Sequence, residues 1–554
     1  MQSPCGLMRE QCCHFLCKFD IKSDELLINI VKILCFLMEN DPQIQVRLYA
    51  CLALGCSFQR EIIRKMLKGN INKILEISLK LMEETDVEEI MDNLQDIVKY
   101  FTEESQQYIV ELSDYLTKYF NKVVEKENNM DEENRFMDSF NIKSNIVSTF
   151  TSFIKYFINN DNIYPKITKY IDTIIQYFLT KSDSPEEGMD ILEEILKYAP
   201  PTPTPQFHIY KFFIPLIQVA TGTEEEILEF QKEHPNQVYY RQGYEAILDL
   251  TKLVCTYITR DPETFLNLKD EKGIPYIVYT TRFIENIIQV SESKGDYSEI
   301  KFCLRIIMVL LDCYKGKMDK LMSDLIKYAV QKLKKGINDK ILKFFLLNVI
   351  SACFIYDALK CIKVLQEENY KKELFMFWFG NLNNIESMQN LKFNLIAICS
   401  IIKIDITQQD QLILLNMKEI IQNIFKLTKK MEAKIEKEEE ESEYEDYEED
   451  EVDLQPKDEN KMKEIVSNII MGEPNDNNKN KDNDEDIDEE DLDDDDIPLT
   501  DFEKKSAIIC VKDTMNEIGK NAEIHKIIIE SVGDKLNELN DIFNKEEERR
   551  KNQK

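Results

Sequence analysis

Apolar residues return at intervals of three and four along the first 430 positions, and this periodicity limits the fold more than any other feature of the chain. Cys303, Ile306, Ile307, Leu310, Cys313 and Tyr314 recur as i, i+3, i+4, i+7, one stripe of an α-helix. Ile171, Ile174, Ile175 and Phe178 make a second stripe, and Leu414, Met417, Ile421, Ile424 and Phe425 a third. Such runs number about twenty, mostly about 12–22 residues long and separated by short polar breaks. Sheet-rich folds need turn residues every 8–12 positions. A chain of 554 residues with only 14 Gly and 15 Pro does not supply them. The expectation is an all-α protein.

A chain of this length exceeds what one hydrophobic core can serve. Many similar helices with little between them predict helix pairs stacked as an α-solenoid, with a period of about 40–47 residues. No strict internal repeat is visible. DPQIQVRLYACLALG (Asp41–Gly55) reads as the second helix of one pair, with Arg47 beside a stripe of Val46, Tyr49, Ala50 and Leu54. Helix starts are signalled by Ser184-Pro185-Glu186-Glu187, and by Asp41-Pro42 and Asp261-Pro262, each a capping side chain followed by proline. Three stretches interrupt the pattern and read as long inter-helix loops. They are Lys126–Arg135, the stiff PPTPTP of Pro200–Pro205, and Thr221–Gln237, a helix with a loose exit at Pro235.

Charge is concentrated in two blocks near the end, Glu438–Asp453 and Asp482–Asp496, each with twelve carboxylates and no base. They account for 24 of the 33 net negative charges and leave about −9 for the rest of the chain. A sequence pI near 4.7 excludes nucleic acid as a direct ligand, because the phosphate backbone would be repelled. Basic partners suit it. The carboxylates assigned to a partner-binding field are Glu438, Glu439, Glu440, Glu441, Glu448, Glu449, Asp450 and Glu451 in the first block. In the second they are Asp486, Asp488, Glu489, Glu490, Asp491, Asp493, Asp494, Asp495 and Asp496. Composition leaves two readings open, a solvated self-repelling linker or an electrostatic catcher of Lys/Arg-rich proteins. Between the blocks, Met462, Ile465, Ile469 and Ile470 are spaced for a short amphipathic helix.

Other chemistry is sparse. Fourteen Cys sit singly in apolar runs, as at Cys303, Cys313, Cys353 and Cys399, and read as reduced buried thiols of a cytosolic or nuclear protein. Cys5, Cys12, Cys13, His14 and Cys17 cluster, but no second ligand pair follows in register, so core thiols are expected rather than zinc. Asp482, Asp484 and Asp486 imitate a calcium loop, yet Ile487 stands where that loop needs Gly. No catalytic constellation, phosphate loop or cofactor motif is present. The N-terminus lacks a signal-peptide pattern, and the longest apolar run, Phe344–Tyr356, is too short to span a membrane, so no membrane insertion is expected. Trp378, among Phe375, Phe377 and Phe379, is expected in the core.

Several passages together carry a family resemblance. GLMREQCCHFL (Gly6–Leu16) is followed by QIQVRLYACLALG, then by Glu88–Val123 with its break at Glu103-Glu104, then by EEGMDILEEILKYAP and FHIYKFFIPLIQ within Glu186–Gln218. Phe375–Asp405 leads to a last long helix, the acidic stretch, and Asp493–Ile518. In this order they resemble the C-terminal half of the importin-β (karyopherin) family, importin-seven/importin-eight branch, over nearly the whole chain. The resemblance implies a superhelix of HEAT-like repeats that carries cargo through nuclear pores under control of the GTPase Ran. It implies no enzyme activity, basic cargo such as ribosomal proteins or histones, contact with FG-nucleoporins, and residence in cytoplasm, nucleus and nuclear envelope.

The family's N-terminal repeats, which hold its main Ran contact, would precede this chain, so the expectation is an N-terminally truncated array. The division expected is a solenoid over 1–433, a disordered acidic insert over 434–497, closing helices over 498–545 and a disordered tail over 546–554. Placement between an array and a closing segment favours the catcher. The rival readings are a HEAT-type scaffold and an acidic histone-chaperone-like binder.

Overall fold

Each amphipathic stripe has found a neighbour. The structure, a computed structural model, describes residues 3–19, 21–85, 89–128, 138–181, 184–199, 209–234, 239, 246–404, 416–449 and 504–552. Among these residues the elements are α-helices and short 3-10 turns, with one isolated bridge between Lys269 and Pro275. The fold is all-α, a helical-repeat solenoid. The chain divides into two compact units, Met1–Ile306 and Ile307–Lys554.

In the first unit, helices pair in sequence order: Asp24–Asn40 with Ile44–Gly55, Ile71–Thr85 with Ile90–Tyr100, Ile109–Asn128 with Asp138–Phe157, and Tyr164–Lys181 with Glu186–Tyr198. The second helix of each pair also packs on the second helix of the next, which makes one continuous layer ending at Ile247–Arg260. These second helices begin at Ile44, Ile90, Asp138 and Glu186, at intervals of 46, 48 and 48 residues. Two of these three intervals lie just above the period of about 40–47 residues expected from the sequence. The next interval is longer because Glu224–Glu233 is interposed, a helix closed by a capping box between Thr223 and Glu226.

The layer needs close approach. Asn93 donates from Nδ2 to the Cys51 carbonyl at 2.7 Å, tying Ile90–Tyr100 to Ile44–Gly55. A Cβ at Gly55 would lie 1.7 Å from Asn93 Oδ1, so glycine ends the helix there for lack of room. The Asp41-Pro42 start signal departs from expectation. The helix begins at Ile44 with Gln43 as its N-cap, and the Asp41 carboxylate instead accepts a fork from Arg9, Nε at 2.7 Å and Nη2 at 2.9 Å. Arg9 holds the Asp41 carboxyl below its ordinary range. Asp261 caps as expected, accepting from the Thr264 amide at 3.1 Å.

The second unit repeats the scheme with Asp319–Lys335, Lys340–Glu367, Lys371–Asn381 and Met388–Ile402. By length and composition Lys340–Glu367 could cross a membrane, a property the shorter apolar run did not suggest. Its backbone breaks at Asp357, and 72% of its apolar window is buried inside the fold. Asp357 then caps the restart by accepting from the Lys360 amide.

Trp378 is fully buried and stacks on Phe354 at 5.1 Å. Its indole N–H donates to Asn394 Oδ1 at 2.6 Å, and the Ser351 hydroxyl donates to the same oxygen at 3.0 Å. Asn394 in turn donates to the Asn390 carbonyl at 2.8 Å. One buried amide therefore joins three helices.

Replacing Asn394 by Ala leaves the Trp378 indole N–H buried and unpaired, while the Ser351 hydroxyl keeps the Leu347 carbonyl as its acceptor at 2.9 Å; the expected cost is about 1–3 kcal/mol. Trp378 is the chain's single tryptophan and reports its own surroundings. Urea unfolding followed by its fluorescence should show a lower midpoint in Asn394→Ala. An unchanged midpoint would show that packing alone holds these helices.

Candidate basic-partner interface

The acidic stretch leaves the fold from inside a helix pair. The helix Met417–Glu449 packs on Met388–Ile402 with buried Met417, Ile420, Ile421, Ile424 and Phe425. Leu414 of the expected stripe lies outside the described residues. The chain is described again from Lys504, and the helix Ala507–Ile518, capped by Ser506 on the Ile509 amide, packs on the same Met388–Ile402. Ala522–Val532 then lies on Met417–Glu449, and Leu536–Asn552 on Ala507–Ile518. The insert thus joins the first and second helices of one repeat, with another pair after it.

Two expectations need correction. The insert was expected to begin at 434, but Met417–Glu449 remains helical past that point. The tail was expected to be disordered from 546, but Leu536–Asn552 is one helix. Leu539, Ile542, Phe543 and Glu546 form its buried stripe. Lys545 and Arg549 of KEEERRK find their partners more than a hundred residues away in sequence, and Glu547 finds Lys512, 35 residues away. Arg549 places Nη1 and Nη2 at 2.8 and 3.0 Å from the two Glu432 oxygens, and Nε and Nη2 at 2.8 and 3.1 Å from those of Glu439. Lys545 pairs with Glu436 at 2.5 Å, Lys429 with Glu538 at 2.6 Å, and Lys512 with Glu547 at 2.5 Å. The Arg549 guanidinium is raised above its ordinary value, first by the Glu432 bond. Lys545 lowers the Glu436 carboxyl.

Among the residues assigned to the partner field, Glu439 therefore has a structural partner. Glu438, Glu440, Glu441, Glu448 and Glu449 lie on the helical backbone, with side chains outside the described residues. Asp450, Glu451 and all nine carboxylates of the second block lie outside the described residues, as do Met462–Ile470 and the calcium-like Asp482–Asp493. Of the N-terminal cysteine cluster, Cys13 is buried and Cys5 exposed. No group of three or more His, Cys, Asp or Glu could hold a metal among the described residues.

Periodicity gave no sign of a second acidic surface, on the layer of second helices. Burial raises Asp190, and Asp249, Glu186 and Glu194 add repulsion. Glu187 is 6% exposed, raised mainly by burial, and its Oε2 has no hydrogen-bond partner; Glu194 Oε2 is likewise buried and unpartnered. Asp92 and Asp96 on Ile90–Tyr100 are also raised by burial. Bases offset this only in part, Lys99 at Asp96 and Lys143 at Glu187, so burial dominates at each.

No family model matches the chain. It is 21% identical over 456 residues to a probable importin-7 homolog of Dictyostelium discoideum, covering 79% of this chain and 38% of that protein. It is 19% identical over 356 residues to human importin-8, covering 64% and 31%. An importin beta-like SAD2 homolog of Arabidopsis thaliana is 20% identical over 345 residues, covering 62% and 30%. Three importins of one branch align over most of this sequence. The chain is similar in sequence to importins of the importin-β family. It spans about a third of the length of the importins it matches.

Two outcomes are expected of substitutions in this chain. Arg549→Ala strands Glu432, which is 4% exposed, without its counter-charge, at a cost of about 2–4 kcal/mol. Hydrogen exchange should quicken in Ala507–Ile518 and Leu536–Asn552 and stay unchanged in Ile44–Gly55. Asp190→Asn should act in the opposite direction. The folded carboxyl lies above its unfolded value, so its ionised form opposes folding above that value and its protonated form does not below it. The variant should melt higher than wild type at neutral pH, with the difference vanishing as pH falls below about 4. A constant difference at all pH values would show that charge is not the cause.

Proposed function

We propose that the chain is the cargo-holding part of a nuclear transport receptor that carries basic proteins, such as ribosomal proteins or histones, into the nucleus under Ran control. Three things support the reading: the importin relatives, the carboxylates raised by burial on the second-helix layer, and above all the position of the insert. Its entry and exit helices belong to one repeat and share one packing partner, Met388–Ile402. That anchors 24 block carboxylates to the array at both ends and keeps them at high effective concentration beside it. A field of this kind binds by summed charge and needs no single indispensable residue. Ran and FG-nucleoporins are the further partners, with the main Ran contact in the family's N-terminal repeats. Residence in cytoplasm, nucleus and nuclear pore follows from the same reading.

The test is binding of purified core histones and ribosomal proteins to the full chain across a salt series. Affinity should fall steeply with ionic strength, as expected for exposed charges beyond a Debye length of about 8 Å at 0.15 M. A full-length variant with amides in place of the carboxylates of Glu438–Asp453 and Asp482–Asp496 should bind at least about tenfold more weakly, a difference of roughly 1.4 kcal/mol. Equal affinity of the two proteins would sink the role given to the blocks. Histone binding that ignores Ran-GTP when the family's N-terminal repeats are supplied would replace transport by a chaperone function.

A further inference from the structure

Two helices at the root of the acidic insert each bring a cysteine to their common face. Cys399 lies on Met388–Ile402, the helix that both ends of the insert pack against, and is 1% exposed. Cys510 lies in the first turn of Ala507–Ile518, the first described helix after the insert, and is half-buried. These helices pack directly on each other. The two thiols meet at that seam, where the Cys399 S–H donates to the Cys510 sulfur. Thr514, itself fully buried, has its hydroxyl within hydrogen-bonding reach of both sulfurs and donates to the Cys510 carbonyl at 2.6 Å. Lys403 approaches the pair from the end of Met388–Ile402.

Other buried thiols of the same unit are placed differently. Cys353 donates to the Met322 carbonyl at 3.9 Å and Cys361 to the Cys353 carbonyl at 3.1 Å, and burial raises both. A thiol kept protonated in apolar surroundings is inert. Cys510 goes the other way. It is lowered to about 6, first by the Cys399 bond, with Lys403 and Thr514 adding to it against burial and Asp513. A position at a helix N-terminus favours the same anion. Cys399 correspondingly holds its proton. We propose that Cys399 and Cys510 form a redox site that peroxide converts into a disulfide across the root of the acidic insert. The Cys510 thiolate attacks one peroxide oxygen; an S–O bond forms as the O–O bond breaks, and the hydroxide released takes up the proton that Cys510 gave to solvent. The Cys399 sulfur then attacks the sulfenic acid sulfur. An S–S bond forms, and the hydroxyl leaves as water with the Cys399 proton. The two thiols give up two electrons and two protons, and hydrogen peroxide becomes two waters. A dithiol reverses the bond by exchange. While it lasts, it closes a loop of more than a hundred residues that contains both acidic blocks, and Ala507–Ile518 cannot leave Met388–Ile402. The site does not need the transport reading.

The test starts from the full chain, reduced, freed of reductant and exposed to hydrogen peroxide. Remaining thiols are blocked with iodoacetamide, and peptides are mapped by mass without reduction. A linked Cys399–Cys510 peptide should appear with peroxide and disappear with dithiothreitol. Hydrogen exchange in Ala507–Ile518 should slow by about tenfold on oxidation and stay unchanged in Ile44–Gly55. In Cys399→Ala the oxidation of Cys510 should stop at a sulfenic acid that dimedone traps, and in Cys510→Ala Cys399 should stay reduced. Melting curves check that both variants fold. The linked peptide of the unsubstituted chain needs neither of them.

Oxidation of the exposed Cys5 or Cys56 while Cys399 and Cys510 stay reduced overturns the inference, as does a bond from Cys510 to any third cysteine. Exchange that slows equally in Cys510→Ala overturns it too, because the bond would not be the cause. Loss of histone binding in the block-amide protein leaves the result untouched, since the linked peptide forms without any partner.

Discussion

A helix pair can bury one face against its own partner and must give the other to a neighbouring pair. The whole chain is built around that requirement. In the first unit the second helices carry it from Ile44–Gly55 to Ile247–Arg260, each packed on the one before. Close contact needs small residues and satisfied polar groups at a few points, such as Gly55 under Asn93. In the second unit the requirement survives the acidic insert. Ala507–Ile518 docks on Met388–Ile402 as the next second helix would without an interruption. Stacking tolerates an insertion between two helices because loop length enters loop-closure entropy only logarithmically. An insertion within either helix would break the stripe.

The same logic sorts the charges. Three carboxylates between helices are met by a base: Asp41 by Arg9, Glu127 by Lys143 at 2.9 Å, and Glu432 by Arg549. The last pair fastens the root of the acidic helix to the final helix, and Lys545 on Glu436 adds to it. Arg549 uses its planar fork on two carboxylates, a geometry that lysine could not reproduce. Elsewhere acids adjoin acids: Asp190 is raised by burial and by Asp249, and Asp96 by burial and by Asp92 against the pull of Lys99.

Helix stripes, the repeat period and the burial of Trp378 were legible in the sequence, because each follows from the spacing of neighbours within one turn or one repeat. Asp41 was legible only as a cap, and the structure gives its carboxylate to Arg9, 32 residues away. Arg549 and Lys545 sit at i, i+4, and Glu432, Glu436 and Glu439 at i, i+4, i+7, a complementary spacing visible in principle. Nothing local says that these two faces meet, since the contact spans 117 residues and depends on how the repeat closes around the insert. Composition located the acidic blocks at once. It could not distinguish Asp92, Asp96 or Asp190 from ordinary solvent-facing acids, because their desolvation comes from neighbouring helices and not from their own.

Carboxyls raised by burial and by like charge also change what binding a cation does. An ammonium or guanidinium that reaches Asp190 or Asp96 stabilises the ionised form and pulls the carboxyl back toward its ordinary value. Association there is therefore coupled to proton release, and affinity must rise with pH until the free carboxyl is ionised.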